Sequence, residues 1–156
     1  MKDKIKIKVK EYLKRLIRQV LNDEYINSPH IFGDPSRLIV AKTAIVNNAF
    51  FNCNSGTIII EDHVGIAHNA MILTGSHNFN VFEKERETAI SINRDIKIKK
   101  GAFIGSGSII IGPCTIGEHA VVGAGAVVRE NVPNYAIVTG NPSQIVKFIE
   151  NDQKGN

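Results

Sequence analysis

The chain has 156 residues, enough for one domain with a core of its own. Its hydrophobic content of 43% is ordinary for a soluble protein, and no apolar run approaches the length of a bilayer span. The formal charge of +4 is uneven: residues 1–20 carry a net +6 and the rest of the chain −2, and no aromatic interleaving accompanies the basic segment, which speaks against nucleic acid.

Ile5, Val9, Tyr12, Leu13, Leu16, Ile17, Val20 and Leu21 recur at helical spacing, with Lys and Arg opposite, so residues 1–26 read as a basic amphipathic helix. Packing on the domain or on a neighbouring subunit is the expected role of that helix. Peripheral membrane contact through residues 5–21 is the alternative. The Lys/Ile alternation at the start is no secretory signal, and with Cys53 and Cys114 forming no close pair the expected setting is the cytoplasm, the inner membrane surface included. Asn27-Ser28-Pro29 and Gly33-Asp34-Pro35-Ser36 are turn-rich and mark a connector over 27–38.

From residue 39 to 133 the chain repeats every six residues. Ile39, Ile45 and Phe51 open the pattern, with Thr43, Ala49 and Ser55 four residues after each. It slips by three at Asn54-Ser55-Gly56 and resumes at Ile60, Ile66 and Ile72. The clearest run is Ile98, Ile104, Ile110, Ile116, Val122 and Val128, followed at the same offset by Ala102, Ser108, Cys114, Ala120, Ala126 and Val132. A period of six is neither helical nor that of one long strand. It fits an all-β prism in which three flat faces of six residues make one turn. The aliphatic side chain points inward and the small one lies near the corner.

The repeat is broken between Ile72 and Ile98, where a charged segment leaves the coil directly after His77 as a loop over 78–97. Long excursions from a rigid scaffold are often functional. After Val128, Pro133 and Gly140-Asn141-Pro142 turn the chain, and in the tail over 134–156 Ser143 is expected to cap a short helix through Ile145, Phe148 and Ile149 that covers the open end of the coil.

Ile104-Gly105-Ser106-Gly107, Ile116 to Val128, the ending Val132-Pro133 with Gly140-Asn141-Pro142, and the block Ile72-Leu73-Thr74-Gly75-Ser76-His77 together resemble the hexapeptide-repeat acyltransferases. The nearest likeness is to the maltose, galactoside and polysaccharide O-acetyltransferase group, over about residues 39–149. The resemblance implies a left-handed parallel β-helix assembled as a homotrimer, with sites between subunits. It implies acetyl-CoA as co-substrate, no metal, and a saccharide hydroxyl (capsule, lipopolysaccharide or related sugar) as acceptor. N-acetylation of a nucleotide-linked amino sugar is the alternative.

Acyl transfer to a hydroxyl needs a base, and His77 stands where the group has its catalytic histidine. By resemblance Phe103, Gly105, Ser106, Gly123 and Ala124 line the path of the pantetheine arm, while Arg129 and Lys147 are the candidate phosphate contacts. Asn47, Asn48, Asn52, Asn78 and Glu85 are the candidate acceptor contacts, Asn being both donor and acceptor toward a sugar hydroxyl. Two rival readings stay open. One is a γ-type carbonic anhydrase using His63 and His68, which lacks an upstream third histidine in the repeats. The other is a non-enzymatic solenoid.

Overall fold

The structure is a computed structural model and describes residues 2–20 and 28–150 of the chain, with side chains at 7–18 and 28–150. Met1 and residues 21–26 of the expected N-terminal helix, Asn27 of the connector and residues 151–156 of the tail lie outside the described residues.

The helix α1 spans Lys2–Val20. Its apolar side chains Val9, Tyr12, Leu13, Leu16 and Ile17 are all exposed. Among the described side chains of this helix none is buried against the rest of the chain. No helix among the described residues is long and apolar enough to cross a membrane.

The body is a parallel β-helix, left-handed as the resemblance implies, of about five coils. The inner coils lay one short strand on each of three sheets. The first coil meets the third sheet and the last coil the second through a single bridge each, Ile45 to Gly65 and Val132 to Ile116. The first sheet holds β1 (His30–Gly33), β3 (Phe50–Cys53), β6 (Met71–Leu73), β9 (Ile109–Ile111) and β12 (Val127–Val128). The second holds β2 (Leu38–Val40), β4 (Ile58–Ile60), β7 (Ile96–Ile98) and β10 (Cys114–Ile116). The third holds β5 (Gly65–Ile66), β8 (Phe103–Ile104), β11 (Val121–Val122), β13 (Ala136–Thr139) and β14 (Gln144–Phe148). All pairings are parallel except β13 with β14. The first coil already includes β1, within the segment read as a connector.

The period of six explains this directly. Ile98, Ile104, Ile110, Ile116, Val122 and Val128 are stacked inside the prism and sealed from water. Each such side chain is worth roughly 1.5–3 kcal/mol on burial. Ala102, Ser108, Cys114, Ala120 and Ala126 fill the narrow corners and are buried as well. The residues at the corner tips adopt left-handed backbone, at Asn47, Asn69, Gly107 and Gly125 in one corner and at His63, Gly101, His119 and Tyr135 in the next. Asn and Gly tolerate that conformation best.

In the first coil the expected inward residues are corrected by one position. Ile39 pairs with the outward Ile59, and Ile45, 65% exposed, is bridged to the outward Gly65. Leu38, Ala44 and Val46 are the residues packed against the core there. The corner from Val46 to Phe51 is one residue shorter than that from Ile66 to Ile72, and a shift of one turns a strand's side chains to the opposite face.

The closing helix expected after Ser143 is likewise corrected. Residues 144–148 form β14, antiparallel to β13. The last parallel strand would otherwise leave a row of backbone groups unpaired, and the β-branched Ile145-Val146 pair suits an added strand. Gly140 O accepts from Val127 N at 2.9 Å and Ser143 N donates to Val127 O at 2.9 Å, so the tail also closes the exposed edge of the first sheet.

Candidate functional site

The excursion after β6 leaves at the corner between the first and second sheets. It is a built arm, not a slack loop. Ser91 N donates to Ser76 O at 2.9 Å and Asn78 N to Ala89 O at 2.7 Å, with an antiparallel bridge between His77 and Ile90. These contacts form a short stem, topped by a helix α2 over Glu83–Thr88. The root of the arm rests on the coil below. Thr74 N and Thr74 Oγ1 both donate to Asn52 O, at 3.0 and 2.7 Å, and Ser76 N donates to Ser55 Oγ at 3.2 Å.

His77 sits at the head of the stem, exposed. Its Nδ1 lies 2.8 Å from the carbonyl oxygen of Arg86. A carbonyl only accepts, so Nδ1 carries the hydrogen in the neutral ring and Nε2 keeps its lone pair. That is the tautomer a general base needs.

The other expected site residues distribute over three places. Asn52 is brought to the root of the arm: a side chain at Gly75 would collide with it. Asn78 is in the stem, where its Oδ1 accepts from Asn80 N at 2.9 Å, and Glu85 lies exposed on α2. Asn47 and Asn48 are at a different corner, between the third and first sheets. Asn47 Nδ2 donates to Ile66 O at 2.7 Å, while Asn48 exchanges two hydrogen bonds with Asn69. Within one chain both therefore act as rungs between coils.

On the third sheet, the outward row across neighbouring strands reads Gly65, Phe103, Val121, Ile137 and Lys147. Phe103 is 48% exposed and its ring covers Gly65, whose missing side chain makes room for it. Residues directly opposite in an antiparallel pair share a face, which puts Lys147 at the end of this apolar strip. Gly105, Ser106, Gly123 and Ala124 continue from it into the corner between the third and first sheets. Gly105 is packed so closely that a Cβ there would lie 2.5 Å from Ala124 N.

Arg129 is not on this row. It lies where the last coil turns from the first to the second sheet, the corner the His77 arm leaves two coils earlier. There it lines a shallow pocket of about 450 Å³ with Val127, Glu130, Pro142, Ser143 and Gln144. The two expected phosphate contacts thus belong to different surfaces.

His63 and His68 are at different corners, and His63 N donates to Thr43 Oγ1 at 3.0 Å. Among the described residues no group of three or more His, Cys, Asp or Glu is placed to hold a metal ion. The cysteines are internal: burial pushes the Cys53 thiol up, and Cys114 up to about 11. Two arginines of the arm, Arg86 and Arg94, belong to no sequence motif. Their visible signal is the cationic character they bring to a segment with Glu83, Glu85 and Glu87.

Comparison with known proteins meets the same architecture. Residues 95–130 match the family described as bacterial transferase hexapeptide (six repeats). Over 93% of its length the chain is similar to the solved structure of a maltose O-acetyltransferase from Clostridium difficile 630, covering 88% of that chain at 28% identity and a TM-score of 0.57. It is 48% identical over 52 residues, 33% of this chain, to a dTDP-3-amino-3,6-dideoxy-α-D-galactopyranose 3-N-acetyltransferase of Aneurinibacillus thermoaerophilus, spanning 27% of that protein. A Schizosaccharomyces pombe relative, 33% identical over 107 residues and 67% of this chain, is matched over only 51% of its own length. The likeness to hexapeptide-repeat acyltransferases is therefore present in both sequence and fold.

Proposed function

We propose that the chain is an acetyl-CoA-dependent O-acetyltransferase acting on a saccharide hydroxyl, with His77 as general base in direct transfer. The observation that carries this reading is the bond from His77 Nδ1 to the Arg86 carbonyl, which leaves Nε2 as the free basic nitrogen. In this reading Nε2 takes the proton of the acceptor hydroxyl as its oxygen attacks the thioester carbonyl of acetyl-CoA. The C–S bond then breaks and the same proton passes to the departing coenzyme A thiolate, leaving the acetyl ester and a neutral His77. Between the two transfers the Arg86 carbonyl faces a cationic ring, an interaction stronger than with the neutral ring. A positioned base of this kind contributes roughly 100- to 10,000-fold.

Bound acetyl-CoA supplies the activated acetyl group. The strip of Phe103, Val121 and Ile137 that ends in Lys147 fits it: an apolar run suits a pantetheine arm, and a terminal ammonium suits a phosphate. Gly105, Ser106, Gly123 and Ala124 keep the adjoining corner low, and Arg129 is the second candidate cation. Asn52, Asn78 and Glu85, grouped around the arm, are the acceptor contacts of first choice. Asn47 and Asn48 stand on another corner and the pantetheine strip on the face of the third sheet, so a single chain separates parts that the reaction needs together. That separation supports a homotrimer in which neighbouring chains complete each site. The exposed apolar face of α1 beside Lys10, Lys14 and Arg18 supports peripheral membrane contact as part of the same reading, tested by co-sedimentation with anionic vesicles.

The test is thiol release from acetyl-CoA across a panel of sugars, amino sugars and nucleotide sugars. Turnover with a sugar hydroxyl, and its loss by at least 100-fold in His77→Ala with the fold and acetyl-CoA binding retained, supports the reading. Unchanged turnover in His77→Ala sinks it. A second reading, N-acetylation of a nucleotide-linked amino sugar, is favoured by the match to the Aneurinibacillus enzyme. Turnover confined to the amino sugars of the panel would select it.

A further inference from the structure

We infer that Arg86 is a positioning residue: its side chain holds the arm in the one conformation in which its own carbonyl fixes the His77 ring. The inference rests on the reading of His77 as base.

Two parts of Arg86 do two different things. Its carbonyl oxygen is the partner of His77 Nδ1 at 2.8 Å. Its guanidinium reaches back over the turn before α2. Nε donates to Val81 O at 2.7 Å, Nη2 donates to Phe79 O at 3.5 Å, and the group lies over the Phe82 ring at 5.1 Å from its centre. Although Glu83, Glu85 and Glu87 are close in sequence, Arg86 makes no ion pair among the described residues. The guanidinium is directed at main-chain carbonyls instead, which two or three N–H groups in a fixed plane can bridge and a point charge cannot.

The arm needs such a clamp. α2 has six residues, no side-chain hydrogen bond at its N-cap and no buried residue. A helix of that length does not hold itself in water, and here no apolar face is buried to support it. The stem fixes residues 76–78 against 89–91, but the Arg86 carbonyl lies beyond the stem, inside α2. Its position relative to His77 therefore depends on how α2 is set over the turn at residues 79–82. The Arg86 side chain spans that gap.

The consequence is a coupling between a side chain bonded to Val81 and Phe79 and the protonation pattern of the His77 ring. With the clamp intact, the ring is held as the Nδ1–H tautomer. Without it, α2 loosens, the carbonyl is no longer fixed, and both neutral tautomers are populated.

The experiment uses the full chain with ¹⁵N-labelled histidine, in wild type, Arg86→Ala, Arg86→Lys and His77→Ala. Ring nitrogen spectra report the tautomer without any acceptor, and turnover is read with the sugar of the panel that gives the fastest thiol release. The expected result is an Nδ1–H ring in wild type and a mixture in Arg86→Ala, with kcat down about tenfold or more and the KM for acetyl-CoA unchanged. Arg86→Lys, able to reach one carbonyl, restores part of both. Circular dichroism shows that the β-helix is intact in each variant. A tautomer and kcat unchanged in Arg86→Ala overturn the inference while leaving His77 as base. A mixed tautomer in Arg86→Ala, together with turnover indifferent to His77→Ala, supports the clamp and overturns the base.

Discussion

Arg94 Nε donates to the carbonyl oxygen of Thr74 at 2.9 Å, across the neck from which the arm leaves the coil. Thr74 is fully buried, and Arg94 N itself donates to Ser55 O at 3.1 Å on the coil below. Exit and return of the excursion are thus tied to one another and to the scaffold. Arg94→Ala leaves the Thr74 carbonyl without its partner, a loss of about 1–3 kcal/mol in stability. Chemical denaturation measures that loss. Limited proteolysis, cutting within residues 78–95 faster than in wild type, shows where it falls. Equal cleavage of both proteins would show that the stem alone holds the neck.

What could be read from the chain, and what could not, follows from the kind of signal each part leaves. Ile98 to Val128 shows the fold plainly, because an inward side chain every six residues is a direct record of the prism. Ile39 and Ile45 mislead for the same reason. They continue the period on paper, while the short corner at Asn47-Asn48 moves the strand by one and turns them out. Ile145, Phe148 and Ile149 carry helical spacing, yet the need of β13 for a partner outweighs so short a pattern. His77 stands out because the repeat breaks beside it. Arg86 does not, since a guanidinium bound to main-chain carbonyls leaves no partner residue in the sequence to look for.

Asn48 separates a corner rung from an acceptor contact. Its side chain donates to Asn69 Oδ1 at 3.0 Å and accepts from Asn69 N at 2.9 Å. Removing both bonds in Asn48→Ala lowers stability by about 1–2 kcal/mol. If the side chain is only a rung, the KM for the best sugar of the panel stays as in wild type. A several-fold rise in that KM, with stability unchanged, would instead place Asn48 in the acceptor site of an assembled enzyme.

Gly105 and Gly107 are two residues apart and respond oppositely to substitution. A Cβ at Gly105 lies 2.5 Å from Ala124 N and 2.8 Å from Val122 O, backbone atoms of the next coil that cannot yield without spreading the stack. Gly105→Ala costs about 1–3 kcal/mol, the range for overpacking. Gly107 has φ +65 with open space around its Cβ position, and Asn is at home in that conformation, as Asn69 on the coil below already shows. Gly107→Asn stays within about 1 kcal/mol of wild type. Thermal denaturation of the two variants side by side checks the contrast.

Cys114 tests whether the corner it fills is as closed as its burial implies. Only 5% of it is exposed, and burial raises its thiol from the ordinary 9.0 to about 11. At pH 8 the thiolate fraction falls about a hundredfold below that of an ordinary cysteine, and alkylation by iodoacetamide slows at least as much. The same shift gives stability a direction with pH. Below pH 9 the thiol is protonated in both folded and unfolded chains and contributes no pH dependence. Between pH 9 and about 11 the unfolded chain gives up its proton while the folded one retains it, so stability falls as pH rises. The stability of wild type relative to Cys114→Ala should therefore decline across that interval in urea titrations. Rapid alkylation of native protein at pH 8, or a difference between the two proteins that does not change with pH, would mean that the corner opens to water.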